Sequence, residues 1–183
     1  MDELIGARLN RPGARRVTGL TALTLRHADG DESVPSAVQA HGLPWPTRPG
    51  ELLGQGPWLA WRHPHESVAL GFDAEPLRAL LQALAPGRSD SAVAVDLSEA
   101  LAVFELHGPR IDTWLVRLVD ASALPRAAGQ ASRCRLIDAA VSLWRLEAER
   151  LWLIVDRPLA PYIEHWLAYA HEGAFAEVAA SAP

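Results

Sequence analysis

Residues 93–110 read VAVDLSEALAVFELHGPR, and the pairing of this stretch decides the fold. Two apolar runs, 91–97 and 101–106, flank a short polar turn, and Gly108-Pro109 then opens a segment with helical spacing. Short apolar runs bounded by turn residues read as strands, so the stretch predicts a β-hairpin followed by a helix. Asp96 and Ser98 fall in the turn. Side chains of these types satisfy backbone N–H groups in turns, but they also belong to hydrolytic chemistry, so both roles need weighing.

Outward from the hairpin, three segments carry an apolar stripe at helical spacing. In 74–85, Leu77, Leu80, Leu81 and Leu84 recur at i, i+3, i+4 and i+7; Asp73 is placed to cap the start, and Pro86-Gly87 stops the helix. In 109–120 the stripe is Ile111, Trp114, Leu115, Leu118 and Val119, with Pro109 suited to a first turn whose N–H groups have no helical partner. In 159–171 it is Leu159, Tyr162, Ile163, Trp166, Leu167 and Ala170. Each stripe needs a sheet to cover. Residues 20–28 read as a strand and ADGDESVPS after it as turn chemistry. PWLAWRH and SVALGF form a hairpin around Pro64-His65-Glu66; 134–146 and 151–155 form another, with 147–150 in its loop. The block HGLPWPTRPGELLGQGPW is a long ordered loop whose Trp and Leu residues require burial.

Helices set between hairpins, rather than after every strand, predict an α+β fold with a largely antiparallel sheet. The expected organisation is an N-terminal arm over 1–19, a single domain over 20–175 and a C-terminal tail over 176–183. No internal repeat or low-complexity tract is evident.

The 183 residues are 49% hydrophobic, enough for a substantial core. All 17 basic side chains are Arg, and the net charge of -5 argues against a nucleic-acid partner, which needs a basic face. A lone Cys134 excludes an internal disulfide framework and fits a reducing cytoplasm. No apolar run is long enough for a secretion signal or a membrane span, so a cytoplasmic location without a membrane partner is expected.

Candidate chemistry is sparse. His63-Pro64-His65-Glu66 supplies potential metal ligands, but a closed site needs a further ligand that no other cluster obviously provides, so no metal is expected. Asp96, Ser98 and His107 are the residue types of a hydrolase triad without a Gly-x-Ser-x-Gly elbow. Gly54-Gln55-Gly56 lacks the third glycine and the helix of a dinucleotide loop and reads as a turn. Cys134, between Arg133 and Arg135 in an apolar strand, reads as a packed thiol. No catalytic set is expected.

The series AVAVDLSEALAVFELHGPRIDTWL, LVDASALPRAAGQASRCRLID and AVSLWRLEAERLWLIVDRPLAPYIEHWL resembles the gamma subunit of heterotetrameric sarcosine oxidase. Behind it stands the folate-binding aminomethyltransferase fold of the glycine cleavage T-protein and of the N-terminal domain of a tRNA-modifying GTPase. The resemblance covers most of 43–170 and rests on order and spacing. Asp96-Leu97-Ser98 matches an Asp-x-Ser, Gly108-Pro109 a Gly-Pro before a helix, and Gly129-Gln130-Ala131 a Gly-Gln-Ala; 157–166 is similar to the gamma subunit's Arg-led aromatic helix. Departures matter too. The glycines and acidic pair that serve folate chemistry are missing where Leu136-Ile137-Asp138-Ala139-Ala140 runs into the next strand, and Pro158 replaces the usual Ser after Arg157.

The resemblance implies a non-catalytic subunit of a complex that oxidatively demethylates an N-methyl amino acid. Flavins and NAD would lie on partner subunits, and the one-carbon unit would pass to tetrahydrofolate on another subunit. Asp96, Ser98, Asp138 and Arg157 are the candidates for a residual folate pocket, expected to bind weakly. Seven Trp and many Leu exceed what a modest sheet and three helices conceal, so an apolar patch covered by a large flavoprotein subunit is expected, with self-association of the isolated chain. Trp45, Trp58, Arg110 and Arg117 are the candidate contacts, being types enriched in interface cores. The alternatives are a stand-alone folate-binding protein or one-carbon carrier, and a scaffold unrelated to amine oxidation.

Overall fold

A computed structural model describes the backbone of residues 3–5 and 12–180 and the side chains of residues 12–175. Residues 1, 2 and 6–11 of the expected arm, and 181–183 of the expected tail, lie outside the described residues. The chain opens with β1 (Glu3–Ile5) and β2 (Gly13–Val17), both lying inside the stretch read as an arm. There follow β3 (Thr21–His27), α1 (Ser33–Ala40), β4 (Leu52–Gly54), β5 (Trp58–His63), β6 (Glu66–Gly71), α2 (Ala74–Ala83) and β7 (Ala92–Asp96). The remainder is β8 (Leu101–His107), α3 (Ile111–Leu115), β9 (Gln130–Leu136), β10 (Ala139–Glu147), β11 (Arg150–Asp156) and α4 (Ala160–Ala180). The fold is α+β, as expected, and its strands form two largely antiparallel sheets. They belong to two compact units, Gly19–Leu101 and Met1–Thr18 with Ala102–Pro183.

The Gly19–Leu101 unit holds a five-stranded sheet in the order β4-β5-β6-β3-β7. Its helices bury one stripe each: Leu77 and Leu80 from α2, with Leu84 just past its end, and Val34 and Val38 from α1 pack on Leu23, Leu25, Leu59, Ala69 and Ala94. Fully burying such an aliphatic side chain is worth about 1.5–3 kcal/mol. Asp73 caps α2 by accepting from the Glu75 N–H at 3.1 Å, as its position predicts.

The other unit holds a six-stranded sheet in the order β1-β2-β8-β11-β10-β9. Phe104, Leu106, Val141, Leu143, Leu151 and Leu153 form one apolar face, covered by Trp114 and Leu115 of α3 and Ile163 and Leu167 of α4. Trp114 is fully buried, and its indole N–H donates to the Leu167 carbonyl at 3.0 Å, which gives its one polar atom a partner and ties α3 to α4.

The two sheets share a plan. In β7-β3-β6-β5-β4 and in β2-β8-β11-β10-β9, corresponding positions are filled by strands of corresponding order, and a helix follows β3, β6, β8 and β11 alike. The units differ in the source of the first-named strand, since β7 follows the helix in one whereas β2 arrives from the N-terminus in the other, and in the extra edge strand β1 beside β2. No sequence periodicity announces this repetition, because topology alone carries it.

The expected hairpin over 91–106 is corrected. β7 pairs with β3 and β8 pairs with β2, so the stretch that reads as a hairpin is the crossing from one sheet to the other. The physical reason lies in the burial of β8, whose five central residues are all buried, a pattern of an interior strand and not of one arm of a half-exposed hairpin. The strand expected over 134–146 is two strands, β9 and β10, joined at Ile137-Asp138 with Leu136 paired to Ala139. Ile137 has φ 51, a conformation in which a β-branched residue is a rare choice, so no turn signal marks the site. Part of the expected turn after β3 is α1, whose Pro35 sits in the first helical turn where its missing N–H costs nothing. The helix expected over 109–120 is α only to Leu115 and then tightens into i to i+3 turns through Leu118. The helix expected over 159–171 begins at Ala160 and runs on to Ala180.

Candidate functional site

Asp96 closes β7, and its carboxylate accepts from the Ser98 N–H at 2.8 Å and the Ser98 hydroxyl at 2.6 Å. The Ser98 oxygen in turn accepts from the Ala22 N–H at 3.0 Å, while the Leu97 N–H donates to the Ala22 carbonyl at 2.8 Å. The pair therefore staples the crossing segment to the start of β3. The Ser98 hydroxyl donates to a carboxylate, whereas a nucleophilic serine donates to an imidazole.

Asp138 and Arg157 belong to the other unit, at the end of the sheet where β9 turns into β10 and β11 ends. The Asp138 side chain is 87% exposed; Arg135 donates to its backbone carbonyl at 2.6 Å. Arg157 is exposed in the single 3-10 turn before α4. The structure thus joins Asp96 to Ser98 and leaves Asp138 on the surface of a tight turn. Both carboxylates, Asp96 and Asp138, are exposed.

The aromatic and basic candidates divide similarly. Trp45 is half-buried, packs on the apolar cluster of its unit and meets the His27 ring edge-on at 5.7 Å. Trp58, half-buried in β5, lies over Gly56. Gly54 is required as glycine: φ is +100, and a Cβ there would lie 2.2 Å from the Pro57 carbonyl oxygen, which accounts for the Gly54-Gln55-Gly56 turn. Arg110 precedes α3 with φ 62 and stands over the Phe175 ring at 5.3 Å, a cation–π contact. Arg117, in the turns that extend α3, lies beside Gly173 of α4, where an added Cβ would meet its Nη2 at 3.2 Å.

Between these helices runs a groove of about 300 Å³ lined by Arg117, Leu118, Trp166, Tyr169, Ala170, Glu172 and Gly173. Trp166 and Tyr169 meet edge to face at 5.6 Å, and Trp166 meets Tyr162 at 6.2 Å, so one wall is an aromatic ladder along α4. Tyr169 is 64% exposed and Val116, nearby in sequence to Arg117, is 44% exposed. Sequence reading marked Arg117 but missed Trp166 and Tyr169 as surface. Their three-residue spacing merges with the core stripe, and only Gly173, a poor helix former one turn further on, hints at the opening.

Two buried charges were also missed. Glu105 on β8, 2% exposed, accepts from Arg15, from Arg150 Nε at 2.7 Å and from the Trp152 indole N–H at 3.1 Å. Arg145 on β10, 2% exposed, donates to the Pro125 carbonyl at 3.0 Å, the Ala148 carbonyl at 2.9 Å and the Asp112 carboxylate. Both are fully engaged and join strands, turns and α3. Cys134 packs on the core, and burial pushes its thiol up to about 11, so it stays protonated at neutral pH. The His63 and His65 rings lie 5.5 Å apart; among the described residues no group of three His, Cys, Asp or Glu side chains is placed to hold a metal ion. No helix among them is long and apolar enough to cross a membrane.

Two sheets of shared strand order, each carrying helices that cover an apolar face, define an aminomethyltransferase-like fold. The chain matches aminomethyltransferase T of the glycine cleavage system from Bartonella henselae with a TM-score of 0.61 at 12% identity, over 86% of this chain and 46% of that one, a likeness of fold. It belongs to the sarcosine oxidase gamma subunit family. It is 30% identical over 158 residues to the gamma subunit of sarcosine oxidase from Corynebacterium sp. (strain P-1) and 28% identical to that from Arthrobacter sp., in both cases over 84% of this chain and 76% of the relative. A chain of the heterotetrameric sarcosine oxidase from Corynebacterium sp. U-96, solved in complex with pyrrole 2-carboxylate, matches with a TM-score of 0.81 at 25% identity, over 93% of this chain and 89% of that one. No protein-family model matches the chain.

Proposed function

We propose that this chain is a non-catalytic gamma-type subunit of a cytoplasmic, sarcosine-oxidase-like heterotetramer that oxidatively demethylates an N-methyl amino acid. Its part is to supply packing surface to a large flavoprotein subunit. The observation that carries this reading is the match to a chain of a heterotetrameric sarcosine oxidase along 93% of its length. Flavins and NAD reside on partner subunits, and tetrahydrofolate receives the one-carbon unit on another chain. Asp96 and Ser98 serve the turn they form, so tetrahydrofolate binds this chain weakly.

Co-expression with the flavoprotein subunits of the same organism tests the reading. The expected result is co-purification at fixed stoichiometry, with calorimetric titration of the isolated chain giving tetrahydrofolate affinity weaker than micromolar, short of roughly 8 kcal/mol. A stable monomer that captures no flavoprotein subunit would overturn it, and micromolar or tighter folate binding would favour a one-carbon carrier.

A further inference from the structure

We propose that the groove between the turns after α3 and the exposed edge of α4 is the docking site for a segment of the partner flavoprotein subunit that carries a carboxylate beside a bulky apolar side chain. This rests on the reading of the chain as a complex subunit and adds where the partner sits and what chemistry it presents.

Three features of the groove point the same way. Its wall is aromatic and exposed: Tyr169 is 64% exposed and is braced by Trp166 at 5.6 Å, so the apolar surface is rigid and loses little freedom when covered. Its polar end is the guanidinium of Arg117. Among the described residues no carboxylate lies within ion-pair distance of Arg117. Arg110, by contrast, is held against Phe175. The place of Arg117 is also built into the helix, because Gly173 of α4 leaves the space that its guanidinium fills. Glycine inside a helix is unfavourable relative to alanine, and here it opens the floor of the groove.

The charge decides the occupant. An apolar segment laid over this groove would strip water from a guanidinium that no carboxylate among the described residues pairs, which is costly. A carboxylate accepting both prongs of the fork removes that penalty, and a neighbouring apolar side chain covers Tyr169 and Trp166. Glu172 also lines the groove, and its carboxylate opposes an anionic occupant that Arg117 attracts. Arg, Trp and Tyr together are the residue types that dominate interface energetics.

The test uses the full chain co-expressed with its flavoprotein subunits and reads complex affinity. Arg117→Glu and Tyr169→Ala are each expected to weaken association at least about tenfold, while Glu172→Gln holds or tightens it. All three positions are exposed, and circular dichroism and thermal unfolding verify the fold of each variant. If the wild-type chain assembles and the variants assemble equally well, the groove is not the docking site and the subunit reading stands. If the wild-type chain finds no flavoprotein subunit, both fail. If Tyr169→Ala abolishes only self-association of the isolated chain and leaves the heteromeric complex intact, the occupant is a second copy and the proposal is overturned.

Discussion

Glu105 is a carboxylate with almost no access to water, held by two guanidiniums and an indole N–H. Burial alone would push its carboxyl up, but Arg150, Trp152 and Arg15 outweigh that and hold it below its ordinary 4.5. A carboxyl whose folded pKa is depressed contributes stability that is complete above the unfolded value and lost as pH falls through the folded one. Asp31 acts in the same direction: hydrogen bonds from Ser33 and Ser91 hold it near 2 against an ordinary 3.8. Urea unfolding is therefore expected to give steady stability from neutral pH down to about 4.5 and a continuous decline below it. Glu105→Gln should cost about 2–3 kcal/mol at pH 7, less than a wholly buried pair because Arg15 and Arg150 stay about a third exposed, and should make the decline shallower. An acid profile unchanged by the substitution would remove Glu105 from this role. Neither Glu105 nor Arg145 is legible as buried, since a charged residue inside an apolar run gives no sign of the charged partners that arrive 33 to 90 positions away. Asp96 and Ser98 were legible, because turn chemistry is local: the donor to Asp96 lies two residues along the chain.

At the scale of elements, α4 contains its own test. Gly173 has ordinary helical backbone, and the atom nearest to an added Cβ is the far end of the Arg117 side chain, which can yield by a few tenths of an ångström. Gly173→Ala is expected to stabilise the chain by up to about 1 kcal/mol through helix propensity. Thermal unfolding checks this, and a lowered midpoint would mean that Arg117 is clamped in place. Elements defined by their own residues were the legible ones. The cap and stripe of α2, the β5–β6 hairpin and the β10–β11 hairpin follow from spacing and turn residues within each segment. Elements defined by a partner were not. The apolar runs of β7 and β8 do not name the neighbour each will take, and the proximity of the two strands along the chain suggests a pairing that neither makes. Similarly, α1 was hidden because Val34 and Val38 give only one helical repeat and Pro35 reads as a breaker.

For the molecule as a whole, exposed apolar surface predicts behaviour in isolation. With Phe72, Val116, Leu159 and Tyr169 all more than a third exposed, the chain expressed alone is expected to self-associate with rising concentration. Sedimentation velocity would report this, and a concentration-independent monomer would count against it. The α+β class is legible from helices set between hairpins; the division into two sheets is not, since strand partners as far apart as Gly13 and His107 leave no periodicity. The N-terminal origin of β2 has a consequence for synthesis on the ribosome. All strands of the Gly19–Leu101 unit are contiguous, so they can pair as soon as β7 has cleared the exit tunnel. The other sheet must keep β2 waiting until β8 emerges some 90 residues later. During that interval an early strand edge is unpaired, and nascent chains in this state are prone to aggregation and are the substrates of chaperones. The permuted strand thus sets the order of folding, with the middle of the chain maturing before its two ends meet.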